Sequence, residues 1–176
     1  YYLHQSLRKL EEKVISTYNK SMIDEENFYE LDIRKVVDVS KFLIKYKPRI
    51  LIYAVGITDV DLCERNKKLA NAINVEGIKN IIEHITDTDT KIIYFSTSFV
   101  FDGTKKFYLE TDKPNPISYY GESKLQGEKI VQDSGLPYAI IRTDQPYGWK
   151  KNWHHTNSML RIIEKLEKNI TYNEII

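Results

Sequence analysis

The stretch ILIYAVGITDVDLCERNKKLANAINVEGIKNIIEHITDTDTKIIYFST, residues 50–97, decides the fold. It opens on ILIYAV (50–55) and closes with KIIYFS (91–96), two apolar runs of the kind found in strands buried on both faces. Between them, from about residue 63 to residue 84, Leu69, Ala72, Ile73, Gly77, Ile78 and Ile81 recur along one side of a helix. A strand, a helix and a second wholly apolar strand predict a parallel pair joined by a right-handed crossover.

Working outward, the same alternation continues. Upstream, VISTY (14–18) is β-branched and aromatic and reads as a strand, and a polar stretch (19–27) leads to another at 28–33. Val36, Val37, Phe42, Leu43 and Tyr46 then line a helical face that stops before Pro48. At the start, Leu3, Leu7 and Leu10 recur at helical spacing, so an amphipathic helix with a leucine face is expected there. Downstream, a loop rich in Gly, Asp, Pro and Asn (97–117) is long enough to suggest function. A helix follows at 118–133, capped by Ser118 and ended by Gly135, then a strand at 137–141. After Gly148 the text changes to WKKNWHH (149–155), and a further helix is read at 158–168. The expected fold class is α/β, a doubly wound parallel sheet of Rossmann-like form, in which ligands bind beyond the carboxyl ends of the strands.

Composition narrows the function classes. The 176 residues suffice for one well-cored domain. Lys and Arg total 26 against 25 Asp and Glu, a balance that gives no electrostatic reason to expect nucleic acid or an acidic membrane as partner. No apolar run approaches the roughly 20 residues a membrane-spanning helix needs. The single cysteine, Cys63, rules out an internal disulfide and fits a reducing cytoplasm, the expected location. Tyrosine is so abundant, at 13, that frequency singles out none of them.

The strand ends carry the chemistry: Asp32-Ile33, Ala54-Val55-Gly56, Ser96-Thr97-Ser98 and Arg142-Thr143. Beside them stands YGESK (120–124), whose Tyr and Lys lie one helical turn apart on one face. An ammonium there favours the phenolate electrostatically, and the Thr97 hydroxyl at a neighbouring strand end suits the same substrate oxygen. Such a group is suited to proton transfer coupled to hydride transfer at a carbonyl carbon, with the hydride supplied by a cofactor. Tyr-x-x-x-Lys alone is a weak signal, and an exposed pair is the competing reading. The preceding buried strand and long loop raise it.

Five stretches together resemble the dTDP-4-dehydrorhamnose reductases and their relatives among the extended short-chain dehydrogenases. They are ITDVDLCERN (57–66), INVEGIKN (73–80), STSFVFDG (96–103), NPISYYGESKLQGE (115–128) and IIRTDQPYG (140–148), in the family's order and spacing over about residues 32–148. The resemblance implies reduction of a 4-keto-6-deoxy nucleotide sugar, with Thr97, Tyr120 and Lys124 as the catalytic trio. Tyr120 would protonate the C4 oxygen, Thr97 would hold that oxygen, and Lys124 would bind the nicotinamide ribose and tune Tyr120. Asp32 and Ile33 would lie against the adenine, while Ala54, Val55, Gly56 and the backbone of Phe95 would line the cofactor. Ser98 and Gln145 match positions that approach the sugar nucleotide. Residues 1–148 would form the NAD(P)-binding domain, and 149–176 would begin the substrate-binding region.

The family opens with a strand and a Gly-rich turn that holds the pyrophosphate. Here all seven glycines lie from Gly56 onward, so a fragment of a protein about twice as long is expected, one that lacks the first strand and binds cofactor weakly. The family commonly has Asp where this chain has Ser98, and a Ser-Trp-like pair where it has Asp144-Gln145. Both differences fall on the substrate side, so the nucleotide-sugar class is implied rather than rhamnose itself.

Cofactor choice is read from Tyr18-Asn19-Lys20, where no acid is present to accept both ribose hydroxyls. Lys20 suits a 2′-phosphate, so NADP is expected with NAD as the alternative; a solvated loop lysine is the competing reading. A nucleotide sugar is the expected partner, and a homodimer is left open. The alternatives are an NAD-recycling epimerase or dehydratase, and a non-catalytic regulatory subunit like the methionine adenosyltransferase accessory subunit. Asp59 and Asp61 read as helix-capping acids rather than a catalytic pair. Adjacent His154 and His155 cannot share a helix face, so no metal is expected. Cys63 reads as packing, or as a thiol of lowered pKa at a helix start. Asn74 reads as a structural or water-holding residue, and the acids and lysines of 164–168 as a solvated face.

Overall fold

The computed structural model describes residues 2–10, 13–20 and 22–144. The region between the two decisive strands is built as read: β3 (Ile50–Tyr53) and β4 (Lys91–Thr97) lie parallel, in register from Ile50 opposite Lys91 to Tyr53 opposite Tyr94. β5 (Tyr138–Thr143) completes a sheet of order β3-β4-β5. A second parallel pair joins β1 (Ser16–Tyr18) to β2 (Phe28–Glu30), with Ser16 opposite Phe28. Both of these strands are shorter than the segments 14–18 and 28–33 suggested.

The helices follow from local signals. α1 is Tyr2–Arg8, and α2 (Val36–Tyr46) ends at Lys47, whose left-handed φ of 41° turns the chain before Pro48 while its N–H bonds back to the Leu43 carbonyl. Residues 63–84, read as one helix, form parts of three: α3 (Val60–Arg65), α4 (Lys67–Asn74) and α5 (Glu76–Glu83). The breaks fall at Asn66, which closes α3 while its side chain caps α4 by accepting from the Leu69 N–H, and at Val75. α6 (Tyr119–Gln132) starts at Ser118, whose hydroxyl accepts from the Gly121 N–H at 3.2 Å, and Gly135 (φ 72°) follows its end. Among the described residues no helix is long and apolar enough to cross a membrane.

One core joins α2, α5 and α6 to the strands through Val39, Leu43, Ile78, Ile81, Tyr53, Ile92, Tyr94 and Val131. Two expectations need correcting. β3 is not buried along its whole length: Ile50 is 53% exposed, because among the described residues β3 is an outer strand of its sheet and β4 is flanked on both sides. The leucine face of α1 is also not its buried face. Leu3 and Leu10 are exposed, and the residue buried is His4, which bonds to the Ser16 hydroxyl at 2.8 Å and packs on the Phe28 ring. Burial lowers the His4 pKa, so the neutral imidazole is favoured. The helix at 158–168 lies outside the described residues.

Candidate active site

The parallel register of β3 and β4 brings two strand ends to one rim. Ala54, Val55 and Gly56 follow β3 and are exposed, while β4 ends at Thr97, 3% exposed, with Ser98 exposed beyond it and Phe95 half-buried. A 3₁₀ turn at Ser98–Val100 starts there, its Phe99 N–H donating to Thr97 Oγ1 at 3.2 Å.

α6 closes over this rim because two of its residues have no side chain. A Cβ on Gly121 would collide with the Phe99 carbonyl, and one on Gly127 with the Tyr94 phenol. That close approach buries Tyr120 to 7% and Lys124 to 4% exposure, so the exposed-pair alternative does not hold. The Tyr120 ring meets Phe99 edge-on at 5.6 Å and packs with Cys63 and Ala70. Lys124 Nζ sits 4.2 Å from the Tyr94 ring centroid, and a Cβ on Gly56 would be only 3.8 Å from it. The ammonium therefore lies against the end of β3. Burial pulls its pKa down to about 8, and the Glu128 carboxylate opposes that shift.

Asn74 fastens the pieces. Its side-chain oxygen accepts from the Ile57 N–H at 2.8 Å, and its amide nitrogen donates to the Ile57 carbonyl at 3.1 Å and Ser123 Oγ at 2.9 Å. Ser123 in turn donates to the Tyr120 carbonyl. The loop after β3 is thus tied to the turn of α6 carrying Tyr120, and the amide of Asn74 is committed to protein partners.

The remaining residues separate. Ile33 is buried, its carbonyl accepting from Asn80 Nδ2 at 2.9 Å. Asp32 is held by Arg34 through Nε at 2.8 Å and Nη2 at 2.6 Å, which draws its pKa down to about 2. Lys20 is an exposed residue two positions past β1. Gln145 lies outside the described residues. Asp59 caps α3 through the Leu62 N–H at 2.8 Å, as expected. Burial raises the Cys63 thiol pKa, correcting the reading of a lowered one.

Sequence reading missed what stands behind Lys124. Glu128, 1% exposed, accepts from Arg142 Nε at 3.0 Å and Nη2 at 2.7 Å, and from the Ser96 hydroxyl. The signal was present: Tyr120, Lys124 and Glu128 recur every fourth residue on one helical face.

For a nicotinamide cofactor, the rim supplies part of a site. The exposed Ala54–Gly56 segment beside a buried ammonium fits a ribose and ring, since a Cβ at Gly56 would crowd Asn74 Oδ1 at 3.2 Å and approach Lys124.

The family model described as the RmlD substrate binding domain matches residues 1–172. A probable low-salt glycan biosynthesis reductase of Haloferax volcanii is 34% identical over 149 residues, 82% of this chain and 49% of that protein. Bovine methionine adenosyltransferase 2 subunit beta is 32% identical over 62% of this chain and 33% of its own length. Among solved structures, a hypothetical dTDP-4-dehydrorhamnose reductase from Sulfolobus tokodaii superposes with TM-score 0.74 at 39% identity, covering 83% of this chain and 52% of that one. A dTDP-4-dehydrorhamnose reductase from Bacillus anthracis in complex with NADP gives TM-score 0.72 at 30% identity, covering 85% and 54%. The chain spans about half the length of these three reductases. With its parallel sheets, its packed α6 and this match along nearly its whole length, the chain belongs to the dTDP-4-dehydrorhamnose reductase family of Rossmann-like proteins.

Proposed function

We propose that this chain provides the proton-transfer half of an NAD(P)-dependent reductase acting on a 4-keto-6-deoxy nucleotide sugar, with Thr97, Tyr120 and Lys124 as its catalytic residues. The observation that carries the reading is the burial of Tyr120 and Lys124 one turn apart on α6, with Lys124 against the exposed end of β3. Ala54, Val55, Gly56, the backbone of Phe95 and Lys124 would hold the nicotinamide end of the cofactor; Asp32 and Ile33 would meet the adenine. When bound, the cofactor supplies a hydride to the C4 carbon.

Tyr120 gives its proton to the carbonyl oxygen, so the ketone becomes an alcohol and the phenol a phenolate. Lys124, positively charged one turn away, stabilises that phenolate until solvent returns the proton. Thr97 donates its hydroxyl to the same oxygen and fixes the reacting face. Ser98, exposed at the rim, and Gln145 would contact the sugar nucleotide. Lys20 would pair with a 2′-phosphate and favour NADP over NAD.

The likeness to methionine adenosyltransferase 2 subunit beta supports a second reading, a regulatory subunit. Incubating the full-length protein with NADPH and a dTDP-4-keto-6-deoxy sugar separates the two. The reductase reading expects NADPH oxidation that Tyr120→Phe abolishes while NADPH binding persists. Binding of NADPH without turnover in the intact protein would leave the regulatory reading standing.

A further inference from the structure

Glu128 takes no part in the steps above, yet it is among the most buried side chains described, and an isolated carboxylate at that depth is costly. Three donors hold it: Arg142 Nε and Nη2 from β5, and Ser96 Oγ from β4. The Arg142 guanidinium rests on the Phe101 ring at 5.0 Å, so the far end of the pair is fixed as well. Ser96 and Thr97 are consecutive, which ties the carboxylate to the strand end carrying the substrate-side hydroxyl. Along α6, Glu128 lies one turn beyond Lys124, as Tyr120 lies one turn before it.

We infer that Glu128 is a positioning residue for Lys124, its carboxylate locked by Ser96 and Arg142 so that a fixed negative charge keeps the buried ammonium charged beside Tyr120. The inference rests on the reading of Lys124 as the ammonium of the site.

Among the described residues, Glu128 is the buried acid on the face of α6 that carries Lys124. β4 offers Lys124 the ring of Tyr94, whose phenol donates to the Lys124 carbonyl at 3.4 Å and whose ionisation burial pushes far up. α4 offers the neutral amide of Asn74, and the end of β3 offers Gly56. The ionisable residues of α5, Glu76, Lys79 and Glu83, are exposed. From α3, the buried Cys63 thiol has its ionisation pushed up, and Glu64 is exposed and accepts from the Tyr119 N–H. On α6 itself Tyr120 is the other neighbour, and Arg142 of β5 opposes Glu128 from behind. Burial lowers the Lys124 pKa, and the Glu128 carboxylate raises it.

The test is the titration of Lys124 in the full-length protein, followed by the carbon-13 shift of its side chain and assigned by its loss in Lys124→Met. Glu128→Gln removes the negative charge and leaves Arg142 as an uncompensated cation, so the Lys124 midpoint should fall by about one unit or more. At pH 8 that change takes the charged fraction from about one half to about one tenth. Because an orphaned Arg142 threatens folding, Glu128→Gln with Arg142→Met removes both charges and must still lower the midpoint, by less. Lysine midpoints unchanged from the parent in the folded variants would overturn the inference. The titration needs neither cofactor nor sugar, so an enzyme that turns over no keto sugar would sink the proposed function without touching this result.

Discussion

Gly127→Ala is the substitution whose cost the structure fixes most tightly. The added Cβ would overlap the Tyr94 phenol oxygen, and would lie 2.8 Å from Tyr94 Cζ and 3.1 Å from the Asn74 carbonyl oxygen. Relief by rotation of Tyr94 is blocked. The residue is fully buried, stacked on Tyr53 at 5.8 Å on one side and under Lys124 at 4.2 Å. Relief at Asn74 is blocked too, since α4 carries it between Ile57 and Ser123. The remaining response is a shift of α6 off β4, and overpacking of a filled core costs about 1–3 kcal/mol. With both neighbours held, about 3 kcal/mol is expected. Equilibrium urea unfolding of the full-length protein, with the m-value checked for constancy, measures it. Tyr94→Phe in the Gly127→Ala background deletes the colliding oxygen and should recover about half of the loss. Gly103→Ala, where no atom lies within 4 Å of the new Cβ, should cost only about 1 kcal/mol for its left-handed backbone. A Gly127→Ala loss no larger than that of Gly103→Ala would refute the account of how α6 is seated.

Other outcomes follow from the same contacts. Asp59→Ala removes the acceptor for the Leu62 N–H and should lower stability by about 1 kcal/mol, read by the same unfolding measurement. Cys63, fully buried with its thiol pKa raised, should resist a thiol-reactive dye in the folded protein and react stoichiometrically in denaturing urea; rapid labelling under native conditions would contradict its placement. Lys124 is protonated less readily in the folded state, near pH 8, than in the unfolded chain, near 10.5. The unfolded state therefore binds more protons between those values, so stability should rise with pH from about 8 toward 9.5, and Lys124→Met should flatten that rise. The full penalty below pH 8 is about 3 kcal/mol. Above pH 10 ionisation of unfolded tyrosines reverses the trend, since burial pushes Tyr53 and Tyr94 upward.

The part of the fold most readable in advance was the segment from β3 to α6. Its strands are continuous apolar runs, and its last helix is bounded by a serine cap and a left-handed glycine, signals that act within a few residues. Where structure depends on distant partners, local pattern misled. Asn66 and Val75 break a region of uninterrupted helical periodicity; at Asn66 the backbone N–H closes one helix on the Leu62 carbonyl while the side chain caps the next, with no glycine or proline to mark the break. In α1 the leucine spacing pointed away from the buried side, which is set by the pairing of His4 with Ser16 and Phe28. Tyr120 and Lys124 were legible from spacing and family likeness. Glu128 and Arg142, 14 residues apart, were not, since two charged residues look solvated until β5 is laid beside α6. Asn74 stands out in the sequence, but its role in tying the loop after β3 to α6 depends on Ile57 and Ser123, 17 and 49 positions away.

The central claim is that Thr97, Tyr120 and Lys124 face one bound nicotinamide at the rim formed by β3 and β4. A crystal structure of the full-length protein with NADPH and a keto-sugar nucleotide measures this directly. The account predicts Tyr120 Oη and Thr97 Oγ1 both within hydrogen-bond distance of the keto oxygen, with Lys124 Nζ on the nicotinamide ribose. A cofactor bound elsewhere, or a keto oxygen out of reach of Tyr120, would contradict it.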